Sequence, residues 1–197
     1  LTPLQLGMLF HAVERPDAGV YVEQLAGRLT GELDEPAFLQ AWQDVIDRHP
    51  PLRTLFVWRD VPEPHQVVLA RAALPVRRED WRGLPADEQD LRLEALLAAD
   101  RRLGLDLGRA PVMRFALVRT GESAWRWVWT HHHMLVDGWS LPILMGELFA
   151  LYRSERDGTL AALPTPAAYG DYVAWLGRQD RAAAEAFWRD HLAGLEG

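Results

Sequence analysis

The chain has 197 residues, of which 49% are hydrophobic, so it is long enough to bury a core as one domain. Its net charge of -7 disfavours a nucleic-acid-binding surface, and it has no apolar run long enough to span a bilayer. The absence of cysteine excludes disulfides and thiol nucleophiles, and the absence of lysine excludes Schiff-base chemistry. We expect no signal peptide and a cytoplasmic location.

The first half of the chain has the residue spacing of capped helices and short strands. Thr2 can cap a first helix that has Pro3 at its first position, and Asp34 can cap a second. The predicted elements up to Gly104 are a helix over 2–13, a strand over 21–30, a helix over 34–46, strands over 65–69 and 76–81, and an amphipathic helix over 86–102. The apolar face of the second helix carries Phe38, Ala41, Trp42, Val45 and Ile46.

The second half predicts a hairpin and then helices. Trp125, Trp127 and Trp129 alternate with other residues, which is the period-two pattern of a strand with two different faces. Ser140 can cap the helix that follows. The predicted elements are strands over 111–119 and 124–130 with a turn at 120–122, a helix over 140–156, a linker to 166, a helix over 169–175, and a last amphipathic helix carrying Ala183, Ala186, Phe187 and Leu192.

Three consecutive histidines, His131, His132 and His133, follow the tryptophan strand. If the alternation continues, His131 and His133 share the tryptophan face and His132 points the other way. The run has four interpretations: chance neighbours, a metal site, a purification tag, or a general base at the strand end. Neighbouring strand residues diverge and no second ligand cluster is evident, so we expect no bound metal. A tag is disfavoured in mid-chain. An imidazole can move protons near neutral pH, which favours the general base.

The histidine run also carries a resemblance. Residues 132–138 match HHxxxDG, the active-site motif of condensation domains in nonribosomal peptide synthetases, within the chloramphenicol-acetyltransferase-like superfamily. Three further segments resemble motifs of that family, in the family's order: residues 1–11 (SxAQxRLW), 48–56 (RHxxLRTxF) and 169–175 (YxDFAVW). The first departs from its pattern, with Thr2 in place of Ser and Gly7 where Arg is common.

The resemblance implies a fold and a boundary. It predicts an α/β (α+β) fold with a mixed, largely antiparallel sheet flanked by helices, as one lobe of a pseudo-dimer. The family's second lobe carries motifs resembling GxFVNT and HQDxPFE, which do not occur here. Residues 1–197 are therefore expected to be the N-terminal lobe, with the C-terminal lobe absent.

The resemblance also implies a reaction: the amine of a carrier-bound aminoacyl thioester attacks a donor acyl or peptidyl thioester. The expected partners are the donor and acceptor carrier proteins, the missing lobe and neighbouring synthetase domains. No cofactor is expected to be bound by the lobe, because the substrates are carried on phosphopantetheine arms.

The implied roles fall on five residues. His133 is the base or the positioning group for the amine, and His132 supports it. Asp137 is structural, a buried carboxylate paired with Arg53. Gly138 supplies a backbone conformation or a close approach that a Cβ would forbid, or an N–H for the oxyanion.

Three alternatives share parts of this pattern. An epimerisation domain has the same fold and motif but continues as Asp-Gly-x-Ser-Trp, whereas here Trp139 precedes Ser140. A coenzyme A-dependent acyltransferase would share His133 without needing the upstream motifs. A noncatalytic module that recruits carriers or other partners would be expected to have a degraded histidine motif. The isolated lobe is expected to be inactive in any case.

Overall fold

The computed structural model describes residues 1–15 and 18–195. Its helices and strands, in chain order, are α1 (Pro3–Glu14), β1 (Val22–Thr30), α2 (Glu35–Arg48), β2 (Thr54–Val57), β3 (His65–Val68), β4 (Val76–Asp80), α3 (Ala86–Leu103), β5 (Met113–Gly121), β6 (Ala124–His132), α4 (Ser140–Asp157), α5 (Tyr169–Gly177) and α6 (Arg181–His191). A single 3₁₀ turn, Pro50–Arg53, separates α2 from β2.

The chain divides into two compact units. The first unit comprises Pro3–Pro166 and contains both sheets and α1 to α4. The second unit begins at Ala167 and contains α5 and α6, which are joined by a short turn at which Asp180 caps α6 by accepting a hydrogen bond from the Ala183 N–H. The candidate site lies wholly in the first unit.

The main sheet has four strands in the order β1-β6-β5-β4. β6 pairs antiparallel with both β1 and β5, and β4 joins parallel to β5. This is the mixed, largely antiparallel sheet that the sequence predicts, and β6 is one of its two inner strands. A separate antiparallel pair is formed by β2 and β3, of which β2 was not predicted.

The two faces of β6 pack against different helices, because successive side chains of a strand point in opposite directions. On one face, Trp129 and its neighbour on β5, Phe115, lie 5.3 and 5.0 Å, centroid to centroid, from the buried Trp42 ring of α2. On the other face, Val128 packs in a cluster with Leu96 of α3. Helices therefore cover both sides of the sheet, and the tryptophan alternation encodes that arrangement.

The boundaries differ from prediction at the ends that bear on function. β6 continues through His132, two residues beyond the predicted end, so His131 and His132 are strand residues. β1 begins at Val22 because Tyr21 has a φ of 61°, in the left-handed region that strands do not use. The Tyr21 carbonyl instead accepts a hydrogen bond from the His133 N–H at 2.9 Å.

Candidate active site

The histidine run is held in place by the backbone at the end of β6. The His132 N–H donates to the Val112 carbonyl at 3.3 Å, and the His132 carbonyl accepts from the Leu135 N–H at 3.0 Å. From α1, the buried Gln5 side chain donates to the Met134 carbonyl at 3.1 Å. The loop after the strand is thus tied to the sheet and to the first helix.

His131 is a buried residue of the tryptophan face, as predicted. Its side chain is 1% exposed and its ring stacks on Trp129, with 4.1 Å between the ring centroids. Burial, and secondarily the neighbouring histidines, lowers the pKa of His131 to about 4. The ring is therefore neutral at neutral pH.

His132 points to the other side of the strand. Its Nδ1 accepts a hydrogen bond from the Met134 N–H at 3.2 Å, so in the neutral ring the proton sits on Nε2. Burial, followed by His133, lowers the pKa of His132 to about 4. The residue lines a cavity of about 560 Å³ among the end of α1, the start of β1, β2 and residues 104–108. These features make His132 part of the structure of the loop, and its supporting role toward His133 stays a prediction.

His133 is the one member of the run with an accessible side chain, at 28% exposure. Its Nδ1 lies 3.3 Å from Oε2 of Glu23, and the same oxygen lies 3.3 Å from Nε2 of His131. Both distances are those of an ion pair, but neither ring nitrogen is oriented to form a hydrogen bond with the carboxylate. Sequence reasoning missed Glu23. The feature that could have identified Glu23 is its position opposite His131 in the β1–β6 register, and that position is known only once these strands are known to pair.

The predicted pairing of Asp137 with Arg53 is wrong. Asp137 is exposed, and its Oδ1 accepts hydrogen bonds from the Ser140 N–H at 2.9 Å and the Ser140 hydroxyl at 2.7 Å. The hydroxyl contact, chiefly, lowers the pKa of the Asp137 carboxyl below its usual value. Asp137 therefore fixes the start of α4. This role is structural, but it depends on Ser140 and not on Arg53.

Arg53 binds backbone carbonyls instead. Its guanidinium donates to the carbonyls of Ile46 at 3.2 Å and Leu69 at 2.5 Å, and also to those of Asp47 and Ala70. The planar fork of five donors suits such an array, because several carbonyls can be satisfied by one side chain. Arg53 thus ties the end of α2 to the segment after β3.

Arg48, the other arginine of that segment, does pair with a carboxylate. Its Nε donates to Oε2 of Glu147 at 2.9 Å, and Nε2 of His49 lies 2.6 Å from the same oxygen. The Glu147 side chain is only 10% exposed. This cluster, here called the α2–α4 clasp (Arg48, His49, Glu147), was not predicted, since Glu147 lies far along the chain in α4.

The expectation for Gly138 is also wrong in its steric part. Its φ lies outside the left-handed region, and a Cβ built on it would meet no atom of the described residues within 4 Å. Neither a left-handed φ nor a contact among the described residues requires glycine there. The close approach of a substrate to Gly138 stays a prediction. The role of its N–H toward an oxyanion stays a prediction.

Within residues 1–15 and 18–195, no group of three or more His, Asp or Glu side chains is arranged to hold a metal ion. In the same ranges, no helix combines the length and the apolar character needed to cross a membrane.

Comparison with known proteins gives relatives over almost the whole chain. A linear gramicidin synthase polypeptide of Brevibacillus parabrevis is 47% identical over 195 residues, which are 99% of this chain and 2% of that protein. Bacitracin synthase 3 of Bacillus licheniformis is 38% identical over 197 residues, or 100% of this chain and 3% of that protein. The chain thus spans a small part of these relatives.

Solved structures share the fold. The starter condensation domain of the rhizomide synthetase RzmA matches with a TM-score of 0.85 at 23% identity, over 100% of this chain and 50% of that one. The SgcC5 protein from Streptomyces globisporus matches with a TM-score of 0.74 at 29% identity, over 89% of this chain and 40% of that one. The family model of the condensation domain matches residues 1–197. The chain therefore belongs to the condensation domain family.

Proposed function

We propose that this chain is the N-terminal lobe of a condensation domain and that His133 acts in its reaction, the formation of a peptide bond between two carrier-bound substrates. The observation that carries the proposal is the placement of His133. It is an accessible imidazole at the end of an inner strand, preceded by two buried histidines and flanked by a carboxylate.

The proposed step balances as an acyl transfer. The acceptor's amine nitrogen attacks the donor's thioester carbonyl, and Nε2 of His133 receives the proton that the amine loses. The C–S bond then breaks, and the leaving thiolate accepts that proton from Nε2 of His133. An imidazole suits both transfers near neutral pH. Holding both thioesters in line makes the attack effectively unimolecular, which is a large part of the barrier reduction.

The partners follow from the same proposal. The substrates are thioesters on the phosphopantetheine arms of a donor and an acceptor carrier protein, and the other wall of the reaction channel belongs to a second lobe. The support is that the chain spans half or less of the solved relatives quoted above. No resident cofactor is needed, and the proposed location is the cytoplasm.

The test is His133→Ala in the condensation domain that contains this chain. We expect the rate of product formation to fall about 100-fold. Mass spectrometry of the carrier-bound product measures it, with chelator present to test metal independence. The matched control is His65→Ala, which removes an exposed histidine outside the site. A His133→Ala domain that condenses at the normal rate would overturn the proposal.

A further inference from the structure

Glu23 supplies the carboxylate that faces His133. One of its oxygens, Oε2, lies 3.3 Å from Nδ1 of His133 and 3.3 Å from Nε2 of His131. The contact follows from the sheet, because Glu23 stands directly opposite His131 in the β1–β6 register and opposite residues of an antiparallel pair share a face. One carboxylate oxygen thus faces two imidazoles.

The two nitrogens that face Glu23 are shielded from solvent. Nδ1 of His133 and Nε2 of His131 are both buried and have no hydrogen-bond partner among the described residues. The Glu23 side chain itself is 41% exposed, so part of it contacts solvent while its Oε2 reaches inward. The field at His133 is therefore asymmetric, with a negative charge beside Nδ1.

A neutral imidazole carries one proton, and the partner of one nitrogen decides where that proton resides. A carboxylate beside Nδ1 stabilises the tautomer that is protonated there, which leaves the Nε2 lone pair free to receive a proton. The same negative charge also favours the His131 proton on Nε2, and it acts on both rings through space, because neither nitrogen is aligned for a hydrogen bond with Glu23. His131 cannot rotate away, because it is buried and stacked on Trp129.

We propose that Glu23 is a positioning residue: it holds His133 in the tautomer with the proton on Nδ1, and His131 holds the carboxylate in place. This rests on the proposed function of His133 for its effect on rate, but not for the tautomer itself. Glu23 touches no reacting atom. It acts through His133, in the way that a carboxylate orients the base in other acyl-transfer sites.

The experiment uses the condensation domain containing this chain, labelled with ¹⁵N-histidine. Long-range ¹H–¹⁵N spectra distinguish the two tautomers of His133, whose signals are assigned by their loss in His133→Ala. The wild type should show mainly the Nδ1-protonated form. In Glu23→Gln, which keeps the shape and removes the charge, we expect at least half of His133 to change tautomer and kcat to fall about tenfold, with KM within twofold.

Two further variants test the details. Glu23→Asp keeps the charge on a shorter side chain and should restore part of both signals. His131→Phe keeps a ring on Trp129 but removes the second contact, so it should lower kcat by less than Glu23→Gln does. The matched control is Glu32→Gln, the same chemical change at an exposed residue just beyond β1, which should alter neither readout.

The outcomes separate this proposal from the one it rests on. If Glu23→Gln leaves both the His133 tautomer and kcat unchanged, Glu23 is not a positioning residue, whatever His133→Ala does. If His133→Ala stays fully active, the proposed function fails, and the tautomer spectra still decide whether Glu23 sets the state of the ring. A fall in kcat that Glu23→Asp restores without any tautomer change would also overturn the positioning role.

Discussion

Two adjacent side chains, His131 and His132, are buried as neutral imidazoles at the end of β6. Each has a pKa near 4 in the folded chain, against 6.5 for an ordinary histidine. Between these values the unfolded chain binds more protons than the folded chain, so stability rises with pH across this window and falls on acidification. The strand end that carries the site is thus a point of acid sensitivity.

The prediction is a loss of unfolding free energy between pH 6.5 and pH 4. Each buried histidine should contribute up to about 1.4 kcal/mol per pH unit, measured by urea unfolding at a series of pH values. His131→Phe should flatten the slope, and His65→Gln, at an exposed histidine, should leave it unchanged. If the unfolding free energy varied with pH in the same way for the wild type and for His131→Phe, the buried, neutral state of His131 would be contradicted.

Asp137 gives a second prediction at this scale, because its carboxylate binds the first residue of α4. Asp137→Ala should lower the free energy of unfolding by about 1 kcal/mol, as for the loss of a helix cap. Asp137→Asn should lower it by less. Thermal or denaturant unfolding measures both. A loss of roughly 3 to 5 kcal/mol, which is what breaking a buried ion pair costs, would show that Asp137 has a buried partner after all.

Among the elements, α2 and α4 are joined by a buried charge cluster as well as by apolar packing. In the α2–α4 clasp, Oε2 of Glu147 accepts a hydrogen bond from Arg48 and lies 2.6 Å from Nε2 of His49. Each of the three side chains is at most 21% exposed. Because α4 starts directly after the histidine loop, the clasp also fixes the helix that follows the site.

Removing the carboxylate should leave the partly buried Arg48 guanidinium without its counter-ion, with the Pro164 carbonyl as its remaining acceptor. We expect Glu147→Ala to lower the free energy of unfolding by about 3 kcal/mol and Glu147→Gln by less, since the amide oxygen still accepts a hydrogen bond. Glu155→Ala, on the exposed side of the same helix, is the control and should change it by less than about 0.5 kcal/mol. Equal losses at the two positions would argue that the clasp contributes nothing.

Two glycines offer a prediction about strand and helix packing. A Cβ on Gly27 of β1 would come within 2.5 Å of the Trp127 indole, whereas one on Gly7 of α1 would meet nothing within 4 Å among the described residues. Gly27→Ala should destabilise the chain by about 1 to 3 kcal/mol through overpacking. Gly7→Ala should stabilise it by about 0.5 to 1 kcal/mol. Calorimetry of the two variants would detect this opposite sign, and a stable Gly27→Ala would refute the close contact.

At the scale of the whole molecule, the described residues leave 28% of the His133 side chain exposed. His133 is partly open to solvent, and exclusion of water and alignment of two tethered substrates both need a closed channel. We therefore predict that residues 1–197 alone form no condensation product, while the same chain joined to the proposed second lobe does. Product formation by residues 1–197 alone would disprove the need for a second wall.

The sequence by itself determined the family, the faces of β6 and the elements other than β2. The alternation of Trp125, Trp127 and Trp129 placed the strand and its buried face, and the motifs placed His133 at its end. These features depend on residues close together in the chain, so periodicity and local capping are enough to specify them.

Only the tertiary structure decided which charged groups meet. Glu23 reaches His133 because β1 pairs with β6, and Glu147 reaches Arg48 because α4 packs on α2. Arg53 donates hydrogen bonds to backbone carbonyls, and Asp137 accepts hydrogen bonds from Ser140. Their motifs had suggested that the two side chains pair with each other. Charged side chains have several partners of similar energy, and the choice depends on distances of a few ångströms between segments remote in sequence. No local pattern encodes those distances.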